Sequence, residues 1–381
     1  MIIFNTRLDK SKYIICHNGK AIDIVSSYIY LGIVFTSSGK FKTAIETLKY
    51  KANRALQAIL NHFRVRHNTL INIFLKLFSA SIQPILVYGS EIWGAYLIKG
   101  TLKKNTLCSP HFIFEKFHIK FCKQILGVGK GTCSLAALAE LGRFPLIIAI
   151  ITNVFSYIIR ALQKPKDGLL RLAMNTNVKL LSKAKGSSFL RLPIQMMKMI
   201  DYKMPNTICM GKTDELTIKT ELLTFKEKLI EVFLSLYETQ CKSNKKLNLY
   251  NKIKGVYRKQ PYLFKIKESS YRIAATKYRL SSHNLPVETG RYLQVARTER
   301  LCKLCIMQQV GDEIHYFCKC PYAPIAADRN VMLKEIYSTN RQLEILDEVS
   351  KFHYLMALTD VNMMRPVAKF LYSLLEKIKG S

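Results

Sequence analysis

Cys302 and Cys305 are two residues apart, His315 follows after nine more, and Cys320 after a further four, with Pro321 next. Two thiolates two residues apart can grip one metal ion from a tight turn. A later His and Cys then close a tetrahedral N/S shell, which Zn2+ prefers. Four protein ligands leave no position for a catalytic water, so the spacing predicts a structural zinc and not a reactive one. The bland alternative is a set of unrelated thiols, because free Cys is among the most buried residue types. Cys318 competes with Cys320 for the fourth place. Three residues after His315, it would share a helical face with it. Cys320 becomes reachable if the turn unwinds ahead of Pro321, which biases the preceding residue away from helix. The expected ligands are therefore Cys302, Cys305, His315 and Cys320, with Cys318 as a packing thiol or rival. Asp312 or Glu313 is expected to accept from the ring of His315, since a ligating imidazole usually donates its second N–H.

No other constellation carries chemistry as clearly. His283 and Glu288 could pair as acid and base, but beside the metal motif they more plainly brace it. No Gly-rich phosphate loop and no Ser-His-Asp order stands out, so no catalytic residue is assigned.

The 381 residues carry 59 Lys and Arg against 26 Asp and Glu, a net charge of +33. Such an excess repels itself unless a polyanion binds, and nucleic acid is the leading partner. The 49% hydrophobic content excludes wholesale disorder, and the length calls for more than one core. Four of the ten cysteines cluster and the others are scattered singly, which suits a reducing compartment, nucleus or cytoplasm. The N-terminus lacks the basic and apolar pattern of a signal peptide. The apolar stretch 144–159 is short of the ~20 residues that a spanning helix needs, so a buried helix and no membrane partner are expected.

These residues must be positioned by a mainly α fold. Short β-branched or aromatic runs at Ile2–Phe4, Tyr13–Cys16, Ala21–Val25 and Tyr28–Phe35 predict a small antiparallel β-meander, with Asn18-Gly19 as a two-residue hairpin turn. From Phe41 the period lengthens. Ala44, Leu48, Ala52, Ala55, Leu56, Ile59 and Phe63 mark one helical face, with Lys49 and Arg54 around it. Helices are expected from the Asn68-Thr69 cap through Leu70–Ser81, broken or restarted at Pro84 with Ile85–Tyr96 continuing as an apolar segment, over His111–Leu126 ended by Gly127, and from Pro145 to Leu162. Residues 164–188 read as a poorly packed connector. Helical periodicity resumes at 214–240, and a last helix is expected over Pro366–Lys379 with the proline in its first turn. Residues 241–280 hold twelve Lys or Arg and one acid, Glu268, interleaved with Tyr250, Tyr257, Tyr262, Phe264, Tyr271 and Tyr278. Cations for phosphates and rings for bases are the components of single-strand recognition. The bland alternative is a pair of helices with buried tyrosines and solvated lysines. Lys259, Lys277 and Tyr271 are the expected contacts here, with Lys49 and Arg54 on the first helix, and Arg279, Arg291 and Arg300 beside the metal motif are expected to hold phosphates, which a planar guanidinium matches bidentately.

The flanks of the metal motif, Arg279-Leu-Ser-Ser-His283-Asn-Leu285-Pro-Val-Glu288-Thr-Gly290-Arg291-Tyr292 before it and Cys320-Pro321-Tyr322 at its end, resemble the C-terminal segment of non-LTR (LINE-type) retrotransposon reverse transcriptases. Tyr30-Leu31-Gly32-Ile33 with Thr36-Ser-Ser-Gly39 resembles their palm-to-thumb passage. Pro84 to Gly94, with Tyr88-Gly89 and Trp93, resembles a thumb motif, and Phe121–Gly127 and Glu140–Pro145 continue it. The resemblance implies a palm β-edge at 1–40, a thumb-like helical bundle at 41–163, a connector at 164–213, a basic helical region at 214–299, a zinc-binding module at 300–329 and closing helices at 330–381. It also implies RNA, DNA or an RNA–DNA hybrid as partner, with a separate palm-containing chain if the enzyme is split. Family polymerases use a paired-aspartate motif to hold two Mg2+ ions. No Asp-Asp pair occurs in this sequence, so no Mg2+ site is expected and the chain should not polymerise DNA alone. A protein-interaction module or a decayed remnant without function are the other expectations.

Overall fold

The computed structural model describes residues 1–4, 14–64, 71–98, 104–108, 112–181, 189–211 and 213–379. The expected strand residue Tyr13, the Asn68-Thr69 cap, His111, the Phe63 side chain and residues 182–188 lie outside what is described. The fold is mainly α with two small antiparallel hairpins at the N-terminal end. By packing, the chain divides into two compact units. The first comprises Met1–Val65, Lys76–Phe117 and Pro145–Leu236, and the second Arg66–Leu75, His118–Phe144 and Tyr237–Ser381. These units cut across blocks drawn along the sequence: residues 118–144, inside the expected 41–163 bundle, pack with the C-terminal half.

In the first unit, β1 (Cys16–His17) pairs with β2 (Lys20–Ala21) around Asn18-Gly19, both with positive φ, as the hairpin signal predicted. The run Tyr28–Phe35 is not one strand. It folds back at Leu31-Gly32, so that β3 (Ser27–Tyr30) pairs with β4 (Ile33–Thr36) in the register Tyr30↔Ile33. Leu31 and Gly32 sit at φ +46° and +79°. Leucine rarely adopts that region, which hid the turn from sequence reasoning. A tertiary contact supports it, for the Tyr88 hydroxyl donates to the Leu31 carbonyl at 2.7 Å. Ile2–Phe4 forms no strand, although the Met1 carbonyl accepts from Val25 N–H.

The Lys42–Arg64 helix buries Ala44, Ile45, Leu48, Ala52, Leu56 and Leu60 along one face, close to the predicted stripe. Pro84 does not end the next helix. A π turn at Phe78–Ile82 precedes it, and Pro84 falls in the first turn of Gln83–Val87, where its missing N–H removes no helical bond. The break comes at Tyr88-Gly89, where Gly89 has φ +66°. Helix Ser90–Ile98 then buries Trp93 completely, its Nε1 donating to the Tyr88 carbonyl at 2.8 Å. Helix Leu146–Leu162 is the buried apolar helix expected after Pro145, and its first N–H is capped by Glu115 Oε2 at 2.7 Å. No single helix among the described residues is long and apolar enough to cross a membrane.

The expected connector is instead helical at Leu169–Leu181 and Arg191–Met199. Met174 and Leu190 are buried with Val154, Ile158 and Ala161. Its polar composition concealed this because few apolar residues per helix suffice when a ready apolar surface faces them.

In the second unit, helices Ser269–Arg279 and Val361–Lys379 pack together and carry most of the core beneath the metal motif. The last helix starts five residues before the expected proline. Asp360 accepts from Asn362 N–H at 2.9 Å and supplies the start signal, leaving Pro366 inside the helix. Gly142 has φ +59°, and a Cβ there would lie 2.5 Å from the backbone nitrogen of Lys259, across the Leu141↔Lys259 bridge. Only glycine allows those two backbones to approach.

Candidate metal centre and basic surface

The first two cysteines lie on a small two-sided loop. Leu301 bridges Val310, Cys302 N–H donates to the Gln309 carbonyl at 2.8 Å, and Gly311 N–H donates to Arg300 at 2.8 Å. Between these rungs the chain turns so that Leu304 N–H points at Cys302 Sγ, 3.5 Å away. The other two positions come from a π turn over His315–Lys319, closed by Cys320 N–H donating to the His315 carbonyl at 2.7 Å. A π turn takes in more residues than an α turn, so it returns the fifth residue to the face of the first. Cys320 therefore joins His315 and Cys318 is turned away, its Sγ meeting the Glu348 carbonyl at 3.5 Å.

The four ligand atoms of Cys302, Cys305, His315 and Cys320 lie within 4.8 Å of one another, a cluster that could hold a metal ion. Cys302 and Cys320 sulfurs are 3.9 Å apart, and Cys305 Sγ is 3.4 Å from His315 Nε2. With Nε2 facing the thiols, Nδ1 lies 3.2 Å from Gln309 Oε1, which accepts its proton and fixes the tautomer. The expected carboxylate partner of the ring is thus replaced by an amide that sequence reasoning missed. Asp312 acts on the backbone instead, accepting from His315 N–H at 3.0 Å. Burial opposes the Cys302 thiolate, but hydrogen bonds from the Tyr316 hydroxyl and from the Leu304 and Cys305 amides outweigh it and lower its pKa. Burial pushes the Cys320 thiol up to about 12 and lowers the pKa of His315, keeping its imidazole neutral.

The centre is tied to the helices of the second unit by edge-to-face rings and one hydroxyl. Phe317 sits 5.2 Å from Phe352 and 5.3 Å from Phe370, and Tyr278 Oη donates to the Glu313 carbonyl at 2.6 Å. His283 and Glu288 do not pair with each other. His283 meets Glu313 at 3.1 Å, and Glu288 meets Arg291 at 2.7 Å and Lys246 at 3.5 Å. His283 braces the approach to the turn and Glu288 its own helix Pro286–Tyr292, in line with the simpler reading that they brace the motif or a neighbouring helix.

The arginines expected to hold phosphate are largely occupied by the protein. Arg279 is 0% exposed and pairs with Glu140, also 0% exposed, at 3.0 Å, while its other nitrogen donates to the carbonyls of Met356 and Ala357. Arg300 donates to the carbonyls of Val295 and Val287. Arg291 spends one nitrogen on Glu288 and stacks over Tyr292. Arg279 and Arg300 are therefore corrected from phosphate ligands to backbone braces. The same holds for Tyr250, Tyr262 and Tyr278, which are buried and present no face to a base. Tyr271, half-buried, leans on Tyr372 with ring centroids 5.5 Å apart. Lys259 and Arg54 are exposed, and Lys277 and Lys49 half-exposed, so these cations are reachable.

The Cys318/Cys320 choice has a direct test. Cys318→Ser is expected to leave metal stoichiometry and affinity unchanged in a chelator competition. Cys320→Ser is expected to weaken affinity by more than the roughly 10–100-fold that losing an outer partner costs. Equal effects would mean the π turn does not select the ligand. Compared with known proteins, the chain matches no protein-family model, no curated protein and no solved structure.

Proposed function

We propose that this chain is a zinc-stabilised nucleic-acid-binding segment, corresponding to the non-catalytic region downstream of the palm in a LINE-type reverse transcriptase. The observation that carries the reading is the four-ligand Cys-Cys-His-Cys cluster within a chain of net charge +33. A tetrahedron with Zn–S bonds of about 2.3 Å has edges near 3.8 Å, and the separations of 3.9 Å and 3.4 Å suit it. Three thiolates and one imidazole favour zinc over harder ions, and the full shell makes its role structural. The ordered segments resembling the family, from Tyr30-Leu31-Gly32-Ile33 to Cys320-Pro321-Tyr322, supply the assignment to that class.

The grip is electrostatic. Lys49 and Arg54 in the first unit, and Lys259 and Lys277 in the second, are among the cations with access to phosphate, each unit's pair taken by itself. Four neutralised phosphates on single-stranded RNA would give a slope of log K against log salt of about −3. The test is metal content together with binding to labelled RNA and DNA across a salt series on one preparation. Stoichiometric zinc with a steep salt slope is the expected outcome. Zinc with salt-insensitive binding to another protein would replace this reading with a protein-interaction module, and neither zinc nor binding would leave a decayed remnant.

A further inference from the structure

Beside the metal turn, within the second unit, lies a cavity of about 400 Å3. We propose that it takes one unpaired nucleotide, with the base inside and its phosphate at the mouth; this rests on, and deepens, the nucleic-acid reading above.

The shape and lining carry the inference. The volume falls within the range of small-molecule sites and admits a single ring system. Leu249, Val287, Ile314 and the buried Phe352 supply apolar wall, which a bare phosphate would not need. Asn248 and Ser281 offer hydrogen-bonding edges between those walls. Three carboxylates also reach the cavity and would repel a phosphate if they were free. Glu288 is ion-paired to Lys246 and Arg291 and Asp312 to Arg297 at 3.1 Å, while Glu313 is hydrogen-bonded to His283 at 3.1 Å and to Ser281 Oγ at 3.3 Å. Lys245 and Lys252 are exposed at the rim and carry no ion pair among the described residues. The charge left over at the mouth is therefore positive, and the interior is amphipathic. That combination suits a splayed-out base followed by its phosphate, the form in which single strands present themselves to proteins. Asp312, Glu313 and Ile314, which line the cavity, lead directly into the metal turn, with Asp312 accepting from His315 N–H and the Glu313 carbonyl from Tyr278.

The experiment is calorimetric titration of the zinc-loaded full chain with AMP, CMP, GMP and UMP, repeated on Leu249→Trp and Lys252→Ala. Leu249→Trp fills the cavity without changing charge, and Lys252→Ala removes an exposed rim cation with little risk to folding. At least one mononucleotide is expected to bind saturably, about tenfold or more weaker to Leu249→Trp and severalfold weaker to Lys252→Ala, at unchanged zinc content. A single-stranded oligonucleotide that displaces the mononucleotide identifies the strand as the source of the base. An oligonucleotide that fails to displace it assigns the site to free nucleotide. Absence of saturable mononucleotide binding, or equal affinity in both variants and wild type, overturns the proposal. The salt-dependent grip on long RNA is read separately, so its persistence would leave the broader reading standing while the cavity assignment fell.

Discussion

Cys302→Ser is expected to abolish stoichiometric zinc and, with it, salt-dependent nucleic-acid binding, while most of the helical signal survives. The reason is that, apart from Phe317 packed on Phe352 and Phe370 and the bonds from Tyr278 to Glu313 and from Arg329 to Cys320, little else holds the 300–320 loop. Its backbone contributes one bridge, Leu301↔Val310, and the π turn at His315–Lys319. Its tip exposes Ile306 and Met307. Binding energy of about 10–16 kcal/mol for a structural zinc is folding energy in such a unit, far more than two short hydrogen-bonded rungs provide. The helices beneath have their own core, in which Phe370, Leu371 and Phe352 are buried, and need not melt. Metal analysis, far-UV circular dichroism and amide exchange over 300–320 would check this. Zinc or nucleic-acid binding retained at wild-type strength would sink the coupling. The same thermodynamics set a pH dependence. The Cys320 thiol, pushed up to about 12 by burial, must lose its proton to ligate. Metal binding should therefore release protons at neutral pH, and affinity should fall as pH falls.

Arg279→Ala is expected to destabilise the second unit by about 3–5 kcal/mol, because it breaks a buried ion pair and leaves Glu140 without its partner. Arg279 Nε and Nη2 reach the two oxygens of Glu140 at 3.3 Å and 3.0 Å. Tyr262 Oη donates to the same carboxylate at 2.6 Å and shares a bond of 3.0 Å with Thr276. Burial opposes the Arg279 charge, but Glu140 more than offsets it and raises the pKa, so the guanidinium stays charged throughout the neutral range. Replacing both charges, Glu140→Leu with Arg279→Met, should recover much of the loss, since well-packed apolar pairs often substitute for buried ion pairs without penalty. Urea unfolding of the two single variants and the double variant completes the cycle. A stability unchanged in Arg279→Ala, accompanied by weaker RNA binding, would instead return this arginine to the role that its place beside the metal motif suggested.

That arginine marks where sequence reasoning stops. The Cys302, Cys305, His315 and Cys320 cluster was legible because it spans only 19 residues and its spacing is that of a chelate. The Lys42–Arg64 stripe and the Asn18-Gly19 hairpin were legible for the same reason, as each depends on neighbours within a turn or two. The Glu140–Arg279 pair joins residues 139 apart. Arg279, exposed Lys259 and buried Tyr262 look alike in a basic, aromatic-rich string, and only packing separates them. Leu31-Gly32 folded back through a contact with Tyr88, 57 positions away, and residues 169–181 became helix by covering an apolar surface that their own composition does not announce. By itself the sequence determined the ligand types, the helical periodicity and the cationic excess, all of which are local or additive quantities. The tertiary structure alone decided which charges are neutralised inside and which cations reach solvent, because burial is a property of the whole chain's packing and no short window contains it.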